Sequence, residues 1–375
     1  MNKEAKRRAE LRPHGITNIP CQRCEFFPVC GGIQTSRGLF NCFDESCCHR
    51  EDCDKVCPNN RNFLPLLREV GGDLATNRLG ELGQASIVLP HYIPVIDHRY
   101  RRQGSLDWPF VAIDTYKIFR LRKDKYRAIA ESADALRAAF RLSPATKIIL
   151  RGIADDPPLE EYWAYRKADQ AAGQLARLGI SMAIGPNFST FLGVPRTDNV
   201  FNRKRQLICL AELAEAGISV VPHLGAVAPS DWRFWETFLK QHARIFFVAK
   251  EFQTGNRSHK EGRKVIRDMA ALQQAVGRTV HPLLIGAAQF VELTAQHFER
   301  FTIIDSMPFM KAVYRRTFDL DSAEGPWVKS FTLTEQPLDA ILTDNLGGYS
   351  SYLEYRIAAA KKKDHAVASV ALPSA

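Results

Sequence analysis

Short apolar runs alternate with amphipathic segments from Lys147 to Asp305, and this alternation constrains the fold more than any other feature of the chain. Each run is too short for a helix and rich in Ile, Val and Phe, which is typical of buried parallel strands. Segments such as NRKRQLICLAELAEAG carry apolar residues three and four positions apart before a glycine, as crossover helices do. The runs are KIILRG, ISMAIG, ISVVPHLG, RIFFVAKE, VHPLLIG and FTIID.

Two earlier runs, SIVLPHYI from Ser86 and FVAID from Phe110, bring the number of predicted strands to eight. Eight βα units most economically close into a barrel, so we predict an α/β chain with a (β/α)8 TIM-like barrel. An open doubly wound sheet would show the same alternation and is the alternative. Between the second and third runs, a helix is predicted after Lys125 and through Phe140.

The composition divides the chain into four parts. Residues 1–18 are basic and lack periodicity, which predicts a disordered arm, and residues 19–66 form a Cys-rich module. The barrel is predicted over residues 85–335. Residues 336–375 are expected to form a C-terminal helix followed by a disordered tail.

The cysteines are concentrated at one end: eight of the nine fall between Cys21 and Cys57. In a reducing compartment such a cluster indicates a metal site rather than disulfides. Thiolates favour zinc or an iron–sulfur cluster, and both stay open; the C-x3-C-x2-C spacing of radical SAM enzymes is absent. The candidate ligands are Cys21, Cys24, Cys30, Cys42, Cys47, Cys48, Cys53 and Cys57.

The formal net charge of +10 and the pI near 9.2 favour an anionic partner, of which nucleic acid is the commonest for an intracellular basic protein. A basic surface that only keeps the protein in solution is the alternative. No apolar run approaches the ~20 residues of a membrane span, and the opening residues lack the apolar core of a secretory signal. We therefore predict a cytoplasmic protein without a membrane partner.

Polar residues at the predicted carboxyl ends of the strands are candidates for a site, because barrel enzymes hold substrate there. They are Asp114, Arg151, Asn187, His223, Lys250 and Asp305, with Gly286 at the start of a helix. Lys250 could form a Schiff base, or pair with Glu251 or a substrate phosphate. Asn187 could equally cap a turn.

The segment IIDSMPFMKAVYRR, preceded by LLIGAAQFVELTAQHF, resembles the closing part of tRNA-guanine transglycosylases and their DNA-modifying relatives that exchange 7-deazaguanine. The resemblance implies that Asp305 is the nucleophile, that Met307 and Pro308 match the dipeptide after it, and that Gly286 matches the family's glycine. VAIDTYKIF is similar to the family's strand-end segment, which would make Asp114 the general acid/base. The family's zinc site follows its barrel, whereas here the cysteines precede it.

A second resemblance involves GPNFSTF and the GISVVPH run that follows it, which are similar to an uncharacterised family common in phages and plasmids. This resemblance implies no chemistry, but it suits a protein linked to DNA.

The expected reaction is exchange or modification of a nucleobase in DNA or RNA, with a small-molecule base as a second substrate. A carboxylate would attack the anomeric carbon and an acid would protonate the leaving base. Asn187 and His223 would face the base, while Arg151, Arg315 and Arg316 would contact phosphates of a flipped-out nucleotide.

Two other functions stay open. One is a metal-cluster protein of a phage, plasmid or defence system that binds nucleic acid without base exchange. The other is a lyase that forms a Schiff base through Lys250. Fold class alone does not choose among the three, because barrels host many chemistries.

Overall fold

A computed structural model describes residues 16–17, 34–35 and 67–370, except 77–78, 81, 99, 101, 192–195, 255, 324–325 and 334. Two short strands, Ile16–Thr17 and Gln34–Thr35, pair antiparallel in the first part of the chain. The rest of the predicted arm and of the Cys-rich module, including Cys21, Cys24, Cys30, Cys42, Cys47, Cys48, Cys53 and Cys57, lies outside the described residues.

Eight strands with parallel neighbours form the centre of the described structure, one for each apolar run of the sequence. Their order is β6-β7-β8-β1 in one four-stranded sheet and β2-β3-β4-β5 in the other. The α/β class and the parallel pairing predicted from the sequence are therefore confirmed. The strands are β1 (Tyr92–Pro94), β2 (Phe110–Asp114), β3 (Lys147–Arg151), β4 (Met182–Ile184), β5 (Val220–Val221), β6 (Phe247–Glu251), β7 (His281–Ile285) and β8 (Thr302–Asp305).

The two sheets meet at both of their edges through isolated parallel bridges rather than continuous ladders. Val95, just after β1, bridges to Ala112 of β2, and the N–H of Ile96 donates to the Ala112 carbonyl at 2.9 Å. At the other edge His223, just after β5, bridges to Ala249 of β6. The pairing is thus two four-stranded parallel sheets joined by single bridges, without the closed ladder of the predicted (β/α)8 barrel.

Helices follow the strands on the outside. The strands β4, β5 and β6 are each followed by one long helix, and the final helix packs on the helices that flank β8. The helices are α1 (Thr115–Ile118), α2 (Ala133–Phe140), α3 (Asp156–Tyr165), α4 (Ala171–Ala176), α5 (Arg196–Glu215), α6 (Pro229–Gln241), α7 (His259–Val276), α8 (Val291–His297), α9 (Met307–Val313) and α10 (Asp339–Val370), with a 3-10 turn at Ala288–Phe290.

Two elements differ from the expected extents. A hairpin of Phe119–Arg122 and Lys125–Ala128 occupies part of the predicted helix after Lys125, and α2 begins only at Ala133, where the Ser132 hydroxyl caps the Ala135 N–H at 3.2 Å. The last helix, α10, runs on to Val370, through residues that were expected to belong to the tail. Among the described residues, no helix combines the length and the apolar character of a membrane span.

Buried apolar side chains form two clusters, one on each face of the strands. The larger cluster lies between strands and helices and includes Val111, Leu150, Val248 and Ile303. The smaller one, called the inner cluster here, takes side chains from all eight strands. Its members are Leu89, Ile93, Val95, Phe110, Ala112, Ile149, Ile153, Met182, Ile184, Val221, Phe247, Ala249, Leu283, Ile285 and Ile304.

The side chain of Gln84 closes the amino-terminal end of the gap between β5 and β6. Its Nε2 donates to the carbonyls of Val220 at 2.9 Å and Phe247 at 2.8 Å, and its Oε1 accepts the N–H groups of Phe246 and Phe247. One amide thus replaces the backbone hydrogen bonds that the two strands do not make to each other. Unpaired backbone groups at this seam would otherwise cost stability.

We expect Gln84→Ala to lower the free energy of unfolding by roughly 2 to 4 kcal/mol, because four hydrogen bonds of about 1 kcal/mol each are lost. Urea unfolding measures this change, and Gln274→Ala on the exposed side of α7 is the matched control. Equal unfolding midpoints for both variants would contradict the role assigned to Gln84.

Candidate active site

Alternation along each strand decides which strand-end residues face the inner cluster. Side chains two positions apart lie on the same face of a strand. Asp114 lies two positions beyond Ala112, and Arg151 two beyond Ile149, so both lie on the inner face. By the same alternation, Glu251 lies on the inner face of β6, and His223 does so just beyond β5.

Arg151 and Asp114 are bridge partners in neighbouring strands, and their side chains meet. Arg151 Nε donates to Asp114 Oδ1 at 2.5 Å, and both residues are buried. Lys117 of α1 reaches the other oxygen of Asp114 at 3.0 Å and donates to Asp97 Oδ2 at 2.8 Å. Arg151 Nη1 also contacts Gln253 Oε1 at 3.4 Å. We call these five residues the rim cluster.

The rim cluster balances two cations against two carboxylates, which is how buried charges are stabilised. Burial disfavours the charged ammonium of Lys117, but Asp114 and Asp97 outweigh this effect and raise its pKa. Lys117 is therefore charged at neutral pH.

Gly286, just after β7, leaves the space that the side chain of Gln253 occupies. It has a φ of +71°, and a Cβ at this position would lie 2.7 Å from Gln253 Cγ. A side chain here would therefore displace Gln253 from Arg151. The N–H of Gly286 donates to the Ile304 carbonyl at 2.9 Å, so it is already used within the fold.

Asp305 lies on the opposite face from Asp114. It lies two positions beyond Ile303, whose side chain packs towards the helices, so its own side chain lies on that face as well. Its Oδ2 accepts a hydrogen bond from the Tyr349 hydroxyl of α10 at 3.1 Å. The Met307 N–H donates to Oδ1 at 2.8 Å. Burial raises the pKa of Asp305, against the opposing effects of these two donors and of the charge on Arg151. Arg151 thus contacts one of the two predicted catalytic acids and acts electrostatically on the other.

Lys250 also lies on the helix-facing side, where its Nζ donates to the Leu224 carbonyl at 2.8 Å. Burial lowers its pKa to about 8, although Glu251 and Asp268 act the other way. A lowered pKa suits a Schiff-base lysine, but the ammonium group of Lys250 lies on the helix-facing side and is hydrogen-bonded to the backbone, away from Asp114 and Arg151.

His223 is neutral, because burial and the nearby charge of Lys250 lower its pKa well below the usual value. Its Nε2 accepts the Glu251 N–H at 3.1 Å, so the ring proton is on Nδ1. The Glu251 carboxylate is occupied by the N–H groups of Gln253 and Thr254 and by the Thr254 hydroxyl. Glu251 therefore holds the loop that carries Gln253.

The remaining candidates are not brought into contact with the rim cluster. Asn187 Oδ1 accepts the Ala154 N–H at 3.0 Å, which is the turn-capping role left open above. Arg315 contacts the Thr332 hydroxyl and the Gln336 carbonyl, and Arg316 Nη1 donates to the Trp327 carbonyl at 3.0 Å. Both arginines stabilise the segment after α9.

Three residues whose side chains contact Asp114, Arg151 or Asp305 were not among the predicted ones. Lys117 had a readable signal, since it lies three positions after Asp114 and such a spacing brings two side chains together on a helical turn. Gln253 and Tyr349 had none. Tyr349 lies 44 positions from its partner Asp305, and only the packing of α10 joins them.

No family model matches this chain, and no curated protein matches it. The resemblance to the transglycosylases therefore rests on the segments around Asp114, Gly286 and Asp305 alone. Within the described ranges, no three side chains of His, Cys, Asp or Glu are grouped to hold a metal ion. The predicted cysteine ligands lie outside those ranges, so the metal site stays a prediction.

We expect Tyr349→Phe to destabilise the protein by about 1 to 3 kcal/mol near neutral pH, because a buried carboxylate loses a hydrogen bond. The hydroxyl favours the ionised form, so its loss raises the pKa of Asp305 further. The difference from the unmodified protein is then present at neutral pH and shrinks as the pH falls and Asp305 becomes protonated. Urea unfolding at several pH values measures it.

Tyr352→Phe is the matched control, since Tyr352 lies three positions further along α10 and packs against Phe318. A loss for Tyr349→Phe that does not depend on pH would contradict the link to Asp305.

Proposed function

We propose that this chain is a cytoplasmic transglycosylase-like enzyme that exchanges or modifies a nucleobase in DNA or RNA at the carboxyl rim of its parallel strands. The observation that carries the proposal is the position of Arg151, which bonds to Asp114 at 2.5 Å and also acts on Asp305. Two acids at one rim fit a reaction that needs a carboxylate and a proton donor, and the proposal requires the carboxyl group of Asp305 to turn from Tyr349 towards Asp114 when substrate binds.

We also propose that the eight strands form one ring, a (β/α)8 barrel. Bridges at both sheet edges and an inner cluster that draws on every strand support this arrangement. In such a ring the carboxyl ends of the strands surround one pocket, and the inner-face residues Asp114, Arg151 and His223 line it.

The environments of the two acids favour a division of roles that reverses the one implied by the resemblance. Arg151 and Lys117 contact Asp114, which suits a carboxylate that attacks the sugar, whereas burial raises the pKa of Asp305, which suits a proton donor. An oxygen of Asp114 forms a bond to the anomeric carbon as the glycosidic C–N bond breaks. The electron pair of that bond goes to the base nitrogen, which takes the proton of Asp305.

The incoming base then displaces Asp114 from the anomeric carbon and returns a proton to Asp305, so the enzyme is regenerated. Arg151 would move from Asp114 to a phosphate or to the base as the new bond forms. His223 would offer its Nδ1 proton to an acceptor on the base.

We expect Asp114→Asn and Asp305→Asn each to slow base exchange by at least about a hundredfold while leaving nucleic-acid affinity within a few-fold. Incorporation of a radiolabelled base measures exchange, and a denaturing gel detects the covalent adduct. With Asp114 as the nucleophile, the adduct is absent in Asp114→Asn and still forms in Asp305→Asn.

The opposite adduct pattern would restore Asp305 as the nucleophile. Unchanged exchange in both variants would reject the proposed site. Binding of nucleic acid without any exchange by the unmodified chain would leave a nucleic-acid-binding protein as the function. Glu354→Gln, at an exposed position of α10, controls for the loss of one negative charge.

We further propose that the cysteines between Cys21 and Cys57 bind zinc or an iron–sulfur cluster, since thiolate sets select these metals. We expect anaerobically purified protein to carry stoichiometric metal by elemental analysis. A brown colour with iron and sulfide would identify a cluster, and a colourless protein with zinc would identify a zinc site. Metal-free protein of unchanged stability would contradict both.

A further inference from the structure

The hairpin of Phe119–Arg122 and Lys125–Ala128 has one strongly basic face. Its register places Arg120 opposite Arg127 and Arg122 opposite Lys125. Residues that are opposite each other in an antiparallel pair lie on the same face, so these four side chains form a square of cations. All four are exposed, and Lys123 adds a fifth positive charge at the turn.

This arrangement is unfavourable for the hairpin itself. Cross-strand partners have Cβ atoms only about 5 Å apart, and like charges at that separation destabilise a sheet. Among the described residues, Asp169 forms an ion pair with the square, 3.8 Å from Lys125, and Asp124 at the turn adds one negative charge beside Lys123. Arg120, Arg122 and Arg127 form no ion pair with any described residue. A face of closely spaced like charges is suited to binding an external anion, which would relieve this repulsion.

The other face of the hairpin is fixed firmly to the fold. Phe119 and Tyr126 stack with ring centroids 4.6 Å apart, and both are buried. The Tyr126 N–H donates to Asp169 Oδ2 and the Ala128 N–H to Gln174 Oε1, each at 2.8 Å. Gln174 Nε2 in turn donates to the Tyr126 carbonyl at 2.9 Å. The square of cations is therefore presented on a rigid support.

The hairpin also lies directly after the candidate site along the chain. Asp114 ends β2, and Lys117 of α1 contacts both Asp114 and Asp97. Arg120 lies three positions after Lys117, and that length of chain spans at most about 11 Å. An anion on the basic face would thus lie within a few nucleotides of the rim cluster.

We propose that the basic face of this hairpin binds backbone phosphates of the nucleic-acid strand whose base enters the site at Asp114 and Arg151. This inference rests on the proposed function and names the surface that holds its polymeric substrate. A row of closely spaced cations matches a row of closely spaced phosphates, whereas a single small anion would occupy only part of the square.

The test is the triple variant Arg120→Gln, Arg122→Gln and Arg127→Gln in the full chain. Fluorescence anisotropy with a labelled single-stranded DNA, an RNA of the same sequence and the duplex gives affinity as a function of salt. Loss of three phosphate contacts should reduce the slope of log affinity against log salt by about 2 for single strands. The thermal midpoint should stay equal or rise, because repulsion is removed.

The matched control carries the same change of charge at the opposite rim, where Lys147 begins β3 and Arg177 and Arg300 precede β4 and β8. We expect Lys147→Gln, Arg177→Gln and Arg300→Gln to leave the salt slope nearly unchanged. Equal slopes for the two triple variants would overturn the inference, and so would hairpin-dependent binding to phosphatidylserine vesicles in the absence of binding to nucleic acid.

The two proposals fail in different ways. Hairpin-dependent binding without base exchange would leave this inference standing and reject the transglycosylase. Base exchange with an unchanged salt slope in the hairpin variant would support the transglycosylase and reject the role of the hairpin.

Discussion

The alternation of side chains along the parallel strands determines what the strand-end residues can do. A step of one residue turns a side chain from the inner cluster towards the helices. Asp114 and Arg151 therefore meet on the inner face, while Lys250 and Asp305, at equivalent levels of their own strands, contact the Leu224 carbonyl and the Tyr349 hydroxyl. A residue at the end of a strand lies at the rim, and whether its position is odd or even along the strand decides whether its side chain faces the inner cluster or the helices.

Charge compensation stabilises the buried charged side chains on the inner face of the rim. Asp97, Lys117, Asp114 and Arg151 alternate in sign along a chain of short contacts, so no buried charge is left alone. Gln253 and Gly286 hold Arg151 from the far side. Any anionic group that binds to Arg151 or Lys117 must compete with the carboxylate of Asp114 for that cation. The exposed hairpin cations face no such competition, except at Lys125.

The sequence alone predicts the eight strands, their parallel pairing and the rim at which polar residues gather. It does not separate Asp114 from Asp305, because a parallel strand buried on both faces reads as one continuous apolar run, and FTIID carries no inside or outside signal. The hairpin was missed for another reason. Its turn uses Lys123 and Asp124 at positive φ in place of the usual glycine or asparagine, so no turn signal separates the two strands, and the residues after Lys125 were assigned to a helix.

The amide of Gln84 also covers backbone groups of β5 and β6 that would otherwise be free to pair with another chain. Edge strands recruit strands from other molecules when their N–H and C=O groups are free. Since β5 and β6 share only the bridge at His223 and Ala249, their amino-terminal halves would offer two such edges without Gln84. The carbonyl of Gly83, which accepts the Val220 N–H at 3.1 Å, and the amide of Gln84 thus cover backbone groups through which a second chain could otherwise pair.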